Sequence, residues 1–143
     1  MFELNEFISK YVTMRERSMF QEDIEKNKSI LKEKMQGKSV LVIGGAGSIG
    51  ASFIWAILPF KPKSLIVVDL NENALAELTR DLRSTSNMFI PKDYITYPMD
   101  FASGTFEKMF RSHKGFDIVA NFSAHKHVRS EKDIYSIEAL IKN

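Results

Sequence analysis

The sequence predicts an α/β fold: a doubly wound parallel sheet with helices on both faces, preceded by an N-terminal helical arm. Three observations carry this. Two short runs, Val40 to Ile43 and Ser64 to Asp69, are apolar on successive residues, as strands covered on both faces are. Stretches with apolar residues three and four apart follow each of them, the spacing of a helix face. Strand and helix then alternate, which implies right-handed crossovers and a parallel sheet.

The arm, residues 1–37, is charged and contains neither Gly nor Pro before Gly37. Phe7, Ile8, Tyr11 and Val12 form one short apolar face, and Phe20, Ile24, Leu31 and Met35 form a second. Such stripes either pack on the domain behind them or meet a partner subunit, and both readings stand. The domain proper is expected over residues 38–143. Its first helix carries Ile49, Phe53 and Ile57 with the offset pair Ile54 and Leu58, and ends at Pro59 and Pro62. Asn71 can cap the next helix, whose inward face is Leu75, Leu78 and Leu82. A third strand is expected at Tyr94 to Tyr97, a short helix at Thr105 to Arg111, a fourth strand at Phe116 to Phe122 and a last helix at Ile134 to Lys142.

Composition narrows the function classes. At 143 residues, with 44% hydrophobic and 27% charged residues, the chain suits one core. A net charge of +2 with interspersed signs gives no concentrated basic face, so no nucleic-acid partner is expected. With no cysteine, disulfides and thiolate metal sites are excluded. The apolar stretch around Phe53 to Leu58 is far shorter than the roughly 20 residues that span a bilayer. Met1 to Glu6 lacks the basic start of a signal peptide. The expected setting is the cytoplasm, without a membrane partner.

Four of the seven glycines fall between Gly44 and Gly50, where the first strand meets the first helix. In a doubly wound sheet, ligands lie over the carboxyl ends of the strands. The spacing Gly44-x-x-Gly47-x-x-Gly50 is that of a phosphate-binding turn. Glycine removes the Cβ that would keep a pyrophosphate from the backbone, and the N–H groups of Ser48, Ile49 and Gly50 open the helix. A P-loop would need Lys and Ser or Thr after the last glycine, where Ala51 and Ser52 stand, so a dinucleotide is favoured over a triphosphate. Asp69 ends the second strand, where a Rossmann-like fold places the acid that accepts hydrogen bonds from the adenosine ribose. Its charge repels a 2′-phosphate, which favours NAD, with NADP as the alternative.

Other strand ends add candidates. Asp100, followed by Phe101, can accept from an adenine amino group or serve a turn before Ser103, and local sequence favours neither. Ser123 and Ala124 are small enough to let a cofactor lie close. Lys126 can act as a cationic donor to a phosphate, a carboxamide or substrate. His125 and His127 do not share a helix face and lack an acidic third ligand, so no metal site is expected. His113, beside Arg111 and Lys114, suits a solvated surface.

Together the segments Val42 to Gly50, Val68-Asp69, Met99-Asp100-Phe101, Ser123 to Val128 and Ile137 to Asn143 resemble the extended short-chain dehydrogenase/reductase superfamily. Within it they are most similar to the UDP-N-acetylglucosamine 4,6-dehydratase branch of polysaccharide biosynthesis. The resemblance covers about residues 38 to 143, and Ala124-His125-Lys126-His127-Val128 is its most specific part. Ile43 stands where many relatives have Thr, and Arg129 where many have Pro. The resemblance implies roles: Gly44, Gly47 and Gly50 at the pyrophosphate, Asp69 at the ribose, Asp100 at the adenine, and Ser123 with Ala124 toward the nicotinamide; Asn71 and Phe101 are further cofactor-binding candidates. It also implies a UDP-sugar substrate and a reaction that takes hydride from sugar C4, removes water across C5 and C6, and returns the hydride to C6. A homo-oligomer is a separate expectation, since half a doubly wound sheet leaves a strand without its usual partner.

The family's catalytic Tyr-x-x-x-Lys pair is missing. Arg15, Pro98, Phe101 and Ala139 stand four after Tyr11, Tyr94, Tyr97 and Tyr135. No catalytic residue is therefore expected within the chain. The expectation is the cofactor-binding half of a nucleotide-sugar dehydratase, incomplete at its C-terminal side. A related epimerase or reductase, and a non-catalytic dinucleotide-binding module, are the rival classes.

Overall fold

The computed structural model describes residues 7–14, 19–124 and 133–142. The strands are β1 (Ser39–Ile43), β2 (Ser64–Asp69), β3 (Asp93–Pro98) and β4 (Ile118–Asn121), and they form one sheet in the order β3-β2-β1-β4. All three neighbouring pairs are parallel. This is the order in which a Rossmann-like sheet begins, with its reversal of winding between β1 and β4.

The helical segments are α1 (Ile8–Thr13, wound with π-type spacing), α2 (Gln21–Lys26), α3 (Lys28–Met35), α4 (Ser48–Ile57), α5 (Glu72–Ser84), α6 (Gly104–Ser112) and α7 (Ile134–Lys142). The chain divides into two compact units, Met1–Lys34 and Met35–Asn143. The apolar pattern from Phe20 to Met35 is carried by two helices, α2 and α3. Asn27 separates them, and its side-chain amide donates to the Asp23 carbonyl (2.8 Å), a local bond that competes with helix continuation.

In the second unit, alternation along the strands sorts the core onto two faces. Val40, Val42, Leu65 and Val67 point to one side, against Ile54, Ile57 and Leu58 after β1 and Leu75, Leu78 and Leu82 of α5. Leu41, Ile43, Ile66 and Val68 point to the other, where Met109, Phe106 and Phe110 of α6 cover them. Both strands are buried on successive residues for this reason. Ile54, Leu65 and Leu82 are almost fully buried, and truncating any one to Ala would cost about 2–5 kcal/mol. A further tie runs across the first face, where the Tyr94 hydroxyl meets Thr79 Oγ1 at 3.0 Å and joins α5 to β3. Burial pushes the Tyr94 phenol above its ordinary pKa.

Two expectations need correcting. Ile49 does not belong to the buried stripe of α4: it is 69% exposed, and the inward face is Gly50, Ile54 and Ile57. The helix is rotated because Gly50 must face the end of β1, which turns its neighbour outward. β4 is shorter than the run Phe116 to Phe122. Phe116 leaves the ladder to pack its ring 5.5 Å from Phe110, and the Asp117 side chain turns back to β1.

Asp117 clamps the entrances of β1 and β4. Its Oδ2 accepts from the Ser39 N–H and the Ser39 hydroxyl, each at 2.8 Å, and Lys38 Nζ lies 3.5 Å from Oδ1. The Ser39 amide and then the Ser39 hydroxyl hold this carboxyl below its usual pKa of 3.8 against the opposing effect of desolvation, and the Lys38 charge adds a lesser push in the same direction as Ser39. A carboxyl depressed in the folded state adds stability above its unfolded pKa and loses it as pH falls through the folded value. Asp117→Ala is therefore expected to lower the melting temperature at pH 7. Melting curves from pH 7 down to pH 2 should show the gap to wild type closing below about pH 4; a gap that persists at pH 2 would assign the loss to something other than the ionised clamp.

Candidate functional site

At the carboxyl ends of the strands lies a cleft of about 250 Å³ lined by residues that follow all four of them. From the sequence candidates it gathers Gly44, Gly47, Asp69, Phe101, Ser123 and Ala124. Ile43, Val68, Leu70, Met99 and Phe122 also line it, and sequence reasoning missed them as site residues. Nothing in their residue types marks them, since each is an ordinary apolar residue. Only position, within two residues of a strand end, could have found them.

The glycine turn is held to the end of β2. The Gly44 and Gly45 N–H groups donate to the Val68 carbonyl (2.8 and 3.4 Å), and the Gly47 N–H to the Gly44 carbonyl (3.4 Å). The Ala46 N–H donates to Asp69 Oδ2 (3.0 Å). The next three donors, on Ser48, Ile49 and Gly50, open α4. Gly47 at the N-cap has no side chain to receive them, and among the described residues no partner takes them. Three unpaired amides at the positive end of a ten-residue helix, directly after a glycine that lines the cleft, suit an anion.

The three glycines of the motif have different reasons for being glycine. Gly44 has φ +70°, and a Cβ there would lie 2.5 Å from the Ser123 nitrogen. A Cβ on Gly50 would overlap the Gly44 carbonyl oxygen, so its absence is what lets α4 approach β1. Gly47 is unlike both: φ is −70° and ψ 162°, open to any residue, and a Cβ would meet only the Gly44 oxygen at an ordinary 3.5 Å. The fold does not require a glycine at 47. Gly47 is instead one of the residues that line the cleft.

The other candidates separate. Asp69 sits partly buried on the cleft wall. Asn71 Oδ1 accepts from the Ala74 N–H (3.0 Å) and caps α5, outside the cleft lining. Asp100 Oδ1 accepts from the Ala102 N–H (2.8 Å) in a turn that leads to Ser103, the cap of α6. Phe101, rather than Asp100, reaches the cleft. Asn121, which sequence reasoning missed, fixes the opposite lip: its Oδ1 accepts from both the N–H (2.9 Å) and the hydroxyl (2.6 Å) of Ser123. Lys126, with His125 and His127, lies outside the described residues.

Residues 40–143 match the family described as polysaccharide biosynthesis protein. The chain belongs to that family. It is 30% identical over 103 residues to the probable polysaccharide biosynthesis protein EpsC of Bacillus subtilis, covering 70% of this chain and 16% of EpsC. It is 49% identical over 47 residues to the uncharacterized membrane protein MJ1061 of Methanocaldococcus jannaschii, covering 33% of this chain and 14% of that protein. The chain thus spans about one sixth or less of the curated relatives it matches. Among solved structures, Pen from Bacillus thuringiensis is similar with a TM-score of 0.54 and 25% identity, over 76% of this chain and 35% of Pen. No described helix is long and apolar enough to cross a membrane.

The division among the glycines is directly testable. Gly44→Ala and Gly50→Ala should each lower stability by about 2 kcal/mol, from positive-φ strain in one and backbone overlap in the other. Gly47→Ala should stay within about 0.5 kcal/mol of wild type, as a substitution without strain or overlap does. Urea denaturation of the three variants checks this, and equal losses at all three positions would contradict it.

Proposed function

We propose that this chain is the NAD(P)-binding part of a nucleotide-sugar 4,6-dehydratase that acts on UDP-N-acetylglucosamine or a similar UDP-sugar. The observation that carries the dinucleotide reading is Gly47, a glycine that the fold does not need at the mouth of a cleft that a pyrophosphate would need open. The three free amides that follow it supply the anion's donors. Family membership and the Ala124 to Val128 block support the nucleotide-sugar setting.

In this reading each residue has a task. Ser48, Ile49 and Gly50 hold the pyrophosphate through their backbone. Asp69 receives the adenosine ribose hydroxyls and disfavours a 2′-phosphate, so NAD is preferred to NADP. Leu70, Met99 and Phe101 offer an apolar bed for the adenine beside Asp100. Ser123 and Ala124, kept low by Asn121, leave room toward the nicotinamide, and Lys126 acts as an orienting donor. When bound, the nicotinamide supplies the hydride chemistry, and the protein supplies placement and electrostatics. The acid and base groups of the dehydration belong to the remainder of the enzyme.

Binding gives the test. NAD at about 100 times its Kd should stabilise the chain by roughly 2.7 kcal/mol, readable as a rise in melting temperature. Gly47→Val should fold with unchanged helical content and lose that rise. A wild-type chain that responds to neither NAD nor NADP, or a Gly47→Val variant that binds as well as wild type, would overturn the reading.

A further inference from the structure

Asp69 has more contacts than an acid reserved for a ribose would need. Its three oxygen atoms each receive a backbone N–H from a different segment: Oδ2 from Ala46 in the glycine turn (3.0 Å), Oδ1 from Asn71 at the cap of α5 (3.0 Å), and the carbonyl from Met99 beyond β3 (3.1 Å). Three of the loops that border the cleft thus meet on one residue.

The bond to Ala46 matters most for the turn. Gly44 and Gly45 are tied to the Val68 carbonyl and Gly47 closes on Gly44, so every amide from 44 to 47 has a partner, and among the described residues Asp69 provides the only side chain that serves them. The free amides begin at Ser48. Without an acceptor at 69, the Ala46 amide loses its partner and becomes a competing donor, and the turn keeps only the Gly44 and Gly45 bonds to Val68 as its ties to β2.

We infer that Asp69 is a positioning residue for the phosphate-binding turn, and that affinity for the pyrophosphate itself depends on its bonds to Ala46 and Asn71. The inference rests on the dinucleotide reading but concerns a part of the ligand that Asp69 does not touch in it. It also bears on selectivity. A carboxylate held by a backbone amide on each oxygen cannot swing aside for a 2′-phosphate without releasing both. Replacing it to admit NADP therefore loosens the turn that binds either cofactor.

Electrostatics makes the test sharp, because the simple alternative has the opposite sign. If Asp69 served the ribose alone, removing its negative charge would leave inorganic pyrophosphate binding unchanged or strengthen it. As a positioning residue, its loss weakens that binding. The full chain, labelled with ¹⁵N, is titrated with inorganic pyrophosphate while the Ser48, Ile49 and Gly50 amides are followed. Asp69→Ala should bind at least about fivefold more weakly than wild type. Asp69→Asn, which keeps one acceptor oxygen, should fall between them and guards against a fold defect in the alanine variant.

Amide exchange is measured on the same ligand-free samples. The Ala46 amide should exchange at least about tenfold faster in Asp69→Ala, while amides of β1 and β2 keep wild-type protection. Pyrophosphate binding equal to or tighter than wild type in both variants, or an Ala46 amide whose exchange is unchanged, would overturn the inference. Should wild type bind neither pyrophosphate nor NAD, the dinucleotide reading fails by itself, and the Ala46 exchange rate still decides whether Asp69 holds the turn.

Discussion

The second unit is organised by one close approach, that of α4 to the end of β1. It is closer than any side chain permits: the Gly50 α-carbon faces the Gly44 carbonyl and Gly45, and a single methyl there would overlap the backbone. Because the helix starts so near the strand, its first free amides follow directly on Gly47, which lines the crevice where the sheet reverses its winding. The rotation of α4 follows too, with Ile54 and Ile57 in the core and Ile49 in solvent. Gly44 extends the constraint to the next strand, since its bare α-carbon lies against the Ser123 backbone and lets β1 and β4 converge at the site.

Around this contact the unit has a polar clamp at each end of its strands. At the entrances, Asp117 binds Ser39 and ties β4 to β1. At the exits, Asp69 binds Ala46 and Asn71, and Asn121 binds Ser123. Each clamp uses a side-chain oxygen to take up amides that a strand end leaves without ladder partners, which is why short polar residues punctuate otherwise apolar runs. The exit clamps differ from the entrance clamp in consequence, because they border the cleft and set where its walls stand.

Much of this was legible in the sequence, for reasons that differ by element. β1 and β2 declared themselves because both their faces are covered, so the apolar residues run on without the polar alternation of a half-exposed strand. The cap of α5 was readable because Asn71 has a local task that depends on no distant residue. The glycine turn and Asp69 were readable as a pattern joined to its flanking strand and helix. What escaped was whatever depends on orientation or convergence. The outward turn of Ile49 follows from Gly50 facing β1, a fact about packing that helical periodicity does not encode. Ile43, Val68, Leu70, Met99 and Phe122 become a cleft only once four strand ends are side by side. Local sequence favoured neither adenine nor turn for Asp100, because its turn bond to Ala102 is a matter of loop geometry that appears only in the folded chain.

Everything proposed for the site turns on the unpaired amides of Ser48, Ile49 and Gly50 receiving the pyrophosphate of a dinucleotide. A crystal structure of the chain grown with saturating NAD tests this most directly. Pyrophosphate oxygens are expected at roughly 2.7–3.2 Å from those nitrogens, with the α-carbon of Gly47 against the phosphates and the adenosine ribose beside Asp69. A dinucleotide bound elsewhere on the protein, or bound in this cleft with its phosphates away from the start of α4, would contradict it.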